Sequence, residues 1–387
     1  MSLSLWKIQR ELIRPFKQLS RLPPRLGSLF FAQPYYDHIL ARKKRTHIGA
    51  APQTNKVAIY LIFPQTGVLA SHKVALRYLI DNGYSPVVVS NLPLSDTDRD
   101  ELTALSSRII ERPNFGYDFG GYRDGVLEVI NEFKSVERLV LLNDSAWFPL
   151  PNSGDWLHEA EALKLDFVGA ASNYGHERVD LEDYRQIRWS YSCDHRNFHY
   201  CSFALMISEN VLKSPAFRRF WRKFPLTNNK TVTVRRGEIG LSSWIISHGF
   251  SHGSTLDISD LDTELAGLSD TELTAVARDT IIPEMPRAKA LREDLMSRTA
   301  TREELIGFIL TAVARQGISY TQPRLMHQSR GFAFLKKSPI WLDEDASDLT
   351  LRFVRDLDGP FGDTIRDEAL NLRQTRGKAF AASADAA

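Results

Sequence analysis

Between positions 57 and 145 the chain alternates short apolar runs with longer amphipathic ones, and few folds tolerate that rhythm. Residues 57–63, 86–90, 108–111 and 138–142 are rich in Val, Ile and Leu and read as buried strands. Residues 68–82, 95–107 and 118–134 between them read as helices. Strand, helix, strand, helix in this order predicts an α/β fold, with a mostly parallel sheet covered by helices on both faces. Ligands of such sheets sit at the carboxyl ends of the strands. That rule points to Phe63-Pro64, Ser90-Asn91, the stretch 114–118, and Asn143 to Ser145.

Later segments are less regular. Residues 166–169 and 200–207 read as further strands, 237–249 as a helix, and 260–316 as largely helical. Residues 46–55 look like a linker, so the domain proper is expected over 55–345. Residues 1–50 would form a basic N-terminal helix and linker, and 346–387 an extension whose Ala-rich end, from about Arg376, is expected to be disordered.

Net charge is only +2, which gives no reason to expect a nucleic-acid partner. Its distribution is uneven: residues 1–47 hold ten Lys and Arg against two acids. Leu5, Ile8, Leu12, Phe16 and Leu19 share one helical face, and Lys7, Arg10, Arg14, Lys17 and Arg21 the other. Such a helix suits an anionic membrane surface, or packs on the main domain with a solvated basic side. No apolar run approaches a membrane span, and Cys193 and Cys201 read as reduced thiols. The expected location is the cytoplasm, with peripheral contact to the inner face of the cytoplasmic membrane.

Four segments carry candidate chemistry. The richest runs from Arg112 to Gly125, where Asn114, Gly116, Tyr117, Asp118 and Gly121 would frame a nucleotide at a helix entrance. Its bland alternative is a turn and cap with core aromatics. Next come Asn143, Asp144 and Ser145 at a strand end: Asn143 and Ser145 are candidates to bind the nucleotide-sugar, and Asp144 is a candidate catalytic acid that can hold Mn²⁺ or Mg²⁺ against the diphosphate, or simply cap a turn. Glu238, opening a helix, is the candidate base for an acceptor hydroxyl. His327 is a candidate late metal ligand beside Asp144, although a lone histidine is more often structural.

Together, the stretches 114–125, 142–145, 202–203 leading to 217–221, 238–241, and His327 followed by 334–339 resemble the rhamnan synthesis protein F family. The resemblance spans about 57–341. It implies a glycosyltransferase A-like fold and transfer of a sugar, typically rhamnose, from a nucleotide-sugar donor to a glycan or lipid-linked acceptor in surface-polysaccharide assembly. One departure stands out: Asn143-Asp144-Ser145 has one acid where two are common, which leaves metal dependence open. It also motivates the alternative of a non-catalytic glycan-binding or assembly protein on the same fold.

Overall fold

The computed structural model describes residues 32–377. The basic N-terminal helix expected before Pro23 and the tail beyond Gly377 lie outside the described residues. Among those described, no helix is long and apolar enough to cross a membrane.

The strands are β1 (Arg45–Ile48), β2 (Lys56–Ile62), β3 (Ser85–Ser90), β4 (Arg108–Glu111), β5 (Arg138–Asn143), β6 (Ala146–Trp147), β7 (Phe167–Gly169), β8 (Ser172–Asn173), β9 (His199–Tyr200), β10 (Ala204–Ser208), β11 (His252–Ser254) and β12 (Leu335–Lys336). Eight of them form one sheet in the order β1-β4-β3-β2-β5-β10-β7-β11. The central β4-β3-β2-β5 block is parallel. On one side β1 runs antiparallel to β4; on the other β10 runs antiparallel to both β5 and β7. The expected α/β fold, a mostly parallel sheet flanked by helices, is what forms.

Period-two alternation builds two cores on this sheet. Ile59, Leu61, Val89 and Leu141 face Phe119, Tyr122 and Val126 of the helix Tyr117–Glu132, with Phe217 and Trp221 behind them. Tyr60, Ile62, Val88 and Val140 face the helix Ala70–Asp81 and, beyond it, the helical region that holds Phe308. Every strand of the central block is buried on both faces, which is why each reads as a continuous apolar run.

Two stretches differ from expectation. Part of the expected linker, Thr46 to Ile48, is paired with β4 as an edge strand, and its side chains are mostly exposed. An edge strand with one neighbour and little burial has no apolar pattern to betray it. The expected extension is also integral. Helices Glu344–Arg355 and Gly359–Arg376 bury Leu351, Val354, Ile365 and Ala369 against Trp147 and Leu335. Glu368 accepts hydrogen bonds from the Ser71 N–H at 2.9 Å, the Ser71 hydroxyl at 2.7 Å and Trp147 Nε1 at 2.9 Å.

Candidate active site

Strand order reverses between β2 and β5: β3 and β4 follow β2 on one side, and β5 returns to its other side. Such a switch point opens a crevice at the carboxyl ends of the two strands. Asp144 sits there. Its N–H donates to Leu61 O at 3.0 Å, and its Oδ2 accepts from the Phe63 N–H at 2.8 Å, so one residue ties both strand ends together. His72 Nε2 lies 3.4 Å from the same oxygen. Because His72 Nδ1 accepts from the Leu69 N–H at 3.1 Å, the ring proton sits on Nε2, on the side of the carboxylate. Burial would raise the Asp144 carboxyl, but the facing His72 ring, Lys337 and the Phe63 N–H together hold it below the usual range.

A short ladder beyond the switch point shapes the rest. Directly after Ser145, β6 pairs antiparallel with β12, with Lys336 opposite Ala146. This delivers two lysines from 191 residues downstream; Lys336 Nζ donates to the Ser145 hydroxyl at 2.9 Å. Neighbouring strand residues point to opposite sides. Lys336 therefore lines a cleft of about 590 Å³, whereas Lys337 lines a recess of about 360 Å³. Ser145 and Trp341 line both, so the two spaces are neighbours.

The larger cleft collects Asp118, Asn143, Ser202, Lys230, Glu238 and Lys336. Asn143 Nδ2 donates to Asp118 Oδ2 at 3.3 Å, joining the first two sequence motifs. Burial, reinforced by the charge on Asp144, pushes the Asp118 carboxyl up to about 6, while Lys336 opposes the rise. Glu238 accepts a 2.5 Å hydrogen bond from the Ser202 hydroxyl, and its other oxygen lies 3.7 Å from His199 Nε2. His199 Nδ1 is 2.8 Å from Asn197 O; a carbonyl only accepts, so Nδ1 carries a proton. The pairing with Glu238 is then strongest when Nε2 is protonated as well.

Most of the glycine-rich motif is architectural. Gly116, at φ +81°, begins the helix, and its N–H donates to Asn228 Oδ1 at 2.8 Å. A Cβ on Gly120 would lie 2.1 Å from Phe115 O, and one on Gly121 would lie 2.4 Å from a Leu61 methyl, so both glycines let the helix settle on its own entrance and on β2. Arg112 is fully buried and holds Asp124 at 2.7 Å, Asn91 Oδ1 at 2.6 Å and Phe115 O at 2.8 Å. Arg123 pairs with Asp37 at 2.8 Å. Asp118 alone of this motif lines the cleft. Asn114 is exposed and lines neither space; Gly121 faces the sheet; Tyr117 is exposed and donates to Asn228 O at 3.2 Å.

Asp144 lines the smaller recess and not the larger one. His327 joins neither: it packs on the Phe353 ring, with Nδ1 3.3 Å from Phe332 O. Among the described residues no group of three or more His, Cys, Asp or Glu is arranged to hold a metal ion. Because His327 lines neither space, it and Asp144 do not fit as a shared ligand pair, and Asp144 Oδ2 is already engaged by the Phe63 N–H. Sequence reasoning assigned no role to Lys336, Lys230, Ser202 or His199. Both Lys336 and Ser202 lie inside stretches that carry the family resemblance, which is the signal that marked them.

Several known proteins are similar to this chain. An uncharacterized protein, y4gN, of Sinorhizobium fredii is 31% identical over 256 residues, which cover 66% of this chain and 62% of that protein. The match thus spans less than two thirds of the relative's length. A Pyrobaculum calidifontis mannosyltransferase solved with GDP-Man and Mn²⁺ aligns over 92% of this chain and 91% of that one, at 9% identity and a TM-score of 0.33. Staphylococcus aureus TarS (residues 1–349) aligns over 84% and 90%, at 8% identity and a TM-score of 0.24. Superpositions this loose carry no argument about the reaction. The family model for rhamnan synthesis protein F is different in kind. It matches residues 86–313, more than half of the chain, and takes in Asp118, Asn143, Ser202 and Glu238 of the cleft. On that match, the chain belongs to the rhamnan synthesis protein F family.

Proposed function

We propose that this chain is a glycosyltransferase that moves a sugar, rhamnose by the family's name, from a nucleotide-sugar donor onto a growing bacterial surface polysaccharide. The observation that carries the reading is the placement of two kinds of group in one cleft. Acids Asp118 and Glu238 line it together with the cations Lys336 and Lys230. Sugar transfer needs both: a base for the incoming hydroxyl and positive charge for the departing diphosphate.

The chemistry follows from the positions. The acceptor oxygen attacks the anomeric carbon of the donor, and Glu238 takes the hydroxyl proton. The bond from that carbon to the diphosphate oxygen breaks, and the diphosphate leaves with the electron pair, beside Lys336 and Lys230. Ser202 fixes the carboxylate of Glu238 by its hydrogen bond. Asp118, with Asn143, faces the sugar. Asp144 is a positioning residue: it keeps the ends of β2 and β5 together under Ser145. No step is assigned to a metal ion: among the described residues no three acids, histidines or cysteines gather into a ligand set.

Incubation with a panel of nucleotide-sugars and oligosaccharide or lipid-linked acceptors tests this directly. One donor should release its nucleoside diphosphate and extend the acceptor, and Glu238→Gln should stop extension while nucleoside diphosphate still raises the melting temperature. A protein that binds no nucleoside diphosphate and turns over no donor would instead be a glycan-binding protein on a transferase scaffold.

A further inference from the structure

The segment that carries Glu238 has a second side. From 211 to 251 the sequence holds eight Lys and Arg and one acid, Glu238, whose carboxylate is turned into the cleft. Helix Pro215–Arg222 buries Phe217 and Trp221 and leaves Arg218, Arg219 and Arg222 exposed. Between this helix and Gly240–Ser247 lies an apolar slot of about 530 Å³, walled by Phe220, Phe224 and Trp244 and rimmed by Arg219, Lys223 and Arg236. Phe220 and Trp244 remain partly open to solvent. Among the described residues no ion pair involves Arg219, Lys223 or Arg236.

The described chain begins beside the same helix: Gln33 Nε2 donates to Arg222 O at 3.5 Å. The sequence joined there, residues 1–31, holds six Lys and Arg and one acid. The basic helix thus stands where the described chain begins. A concentration of cations without carboxylate partners attracts polyanions in general. An open aromatic slot between them favours one class, an amphiphile with an anionic headgroup and an apolar chain.

We propose that the face formed by helix Pro215–Arg222, Lys223 and the Phe220–Trp244 slot docks on an anionic phospholipid bilayer. The headgroups would meet Arg219, Arg222 and Lys223, and the aromatic rings would enter the headgroup boundary. Arg236 rims the slot and Glu238 lines the cleft, so one short helical segment separates the docking face from the cleft. The inference does not depend on the transferase reading.

Co-sedimentation of the full chain with vesicles tests it. Vesicles of equal parts phosphatidylglycerol and phosphatidylcholine should retain the protein, pure phosphatidylcholine should not, and added salt should release it. Combined Arg219→Glu, Arg222→Glu and Lys223→Glu should weaken partition roughly a hundred-fold, at about 1 kcal/mol per basic residue near an anionic surface. That variant keeps its basic N-terminus, so undiminished partition would assign binding to residues 1–31 and overturn the proposal. Combined Arg219→Lys and Arg222→Lys should bind as the parent does, which separates loss of charge from loss of fold. Partition insensitive to salt in the unmodified protein, or binding to a duplex RNA with none to the vesicles, would equally overturn it.

Discussion

The hydroxyl of Ser202 lies 2.5 Å from Glu238, donating to a carboxylate 36 residues away in sequence. Ser202 stands just before β10, and Glu238 stands on a turn of π-helix, Arg235–Ile239. If Glu238 is the base, Ser202 sets its direction, and the two should fail differently. Ser202→Ala should lower kcat about ten-fold with little change in donor KM. Glu238→Gln should lower kcat about 10²–10⁴-fold, the range for a lost general base. Steady-state kinetics on both variants checks this, and equal losses would contradict the assignment.

Lys336 should matter to the leaving group more than to folding. Its ammonium touches Ser145 at 2.9 Å and lies 4.7 Å from the Phe203 ring centroid. Lys336→Met should cut kcat by about 10²-fold, as loss of one charge-stabilising donor does elsewhere. Lys336→Arg should recover much of that. The melting temperature of both variants should stay close to the parent's.

Asp118 ties stability to pH. Its carboxyl, raised from 3.8 to about 6 chiefly by burial, binds a proton more tightly folded than unfolded. Ionising it therefore costs the folded state, and the cost grows as pH rises from about 4 to 6, then levels off. Asp118→Asn removes the cost. The variant should be more stable than the parent by about 1–3 kcal/mol at pH 8, with the advantage gone below pH 4. It should also lose transfer activity. Melting curves across pH give the first result and product assays the second.

Asp144 should behave in the opposite sense. Its carboxyl is lower in the folded state, so its contribution is present above the ordinary carboxylate range and fades as pH falls through the folded value. Asp144→Ala leaves the Phe63 N–H without its acceptor and should cost about 1–3 kcal/mol at neutral pH. Asp144→Asn keeps an acceptor for Phe63 and should cost less. Chemical denaturation of the two variants separates them.

Gly120→Ala should be worse than its small size suggests. The new Cβ would stand 2.1 Å from the Phe115 carbonyl oxygen, and backbone cannot swing aside as a side-chain end can. Overpacking of this kind typically costs about 1–3 kcal/mol. The loop carrying Asp118 would shift with it, so denaturation midpoint and turnover should fall together.

Much of the central fold was legible because it is locally encoded. Strands β2 to β5 are buried on both faces, and their apolar runs differ from the polar helices between them. Edge strand β1 has no such pattern, since a solvated strand with one neighbour need not look like a strand. Helices Glu344–Arg355 and Gly359–Arg376 were set apart as an extension because nothing in their own sequence names the partner they cover. The glycine-rich motif was conspicuous, but packing and function use the same residue types. Gly120, Gly121, Arg112 and Asp124 serve the fold, and Asp118 is the residue that reaches the cleft.

By itself the sequence determined the order of strands and helices, hence a sheet with a crevice at its carboxyl edge, and it put Asp118, Asn143 and Glu238 on the shortlist. Which charges share that crevice was decided only in three dimensions. Lys336 arrives through a two-residue pairing of β12 with β6, and Glu238 finds Ser202 from 36 residues away. Neither contact has a local pattern, because each depends on backbone hydrogen bonds and packing between segments far apart in the chain, which periodicity along one segment cannot record.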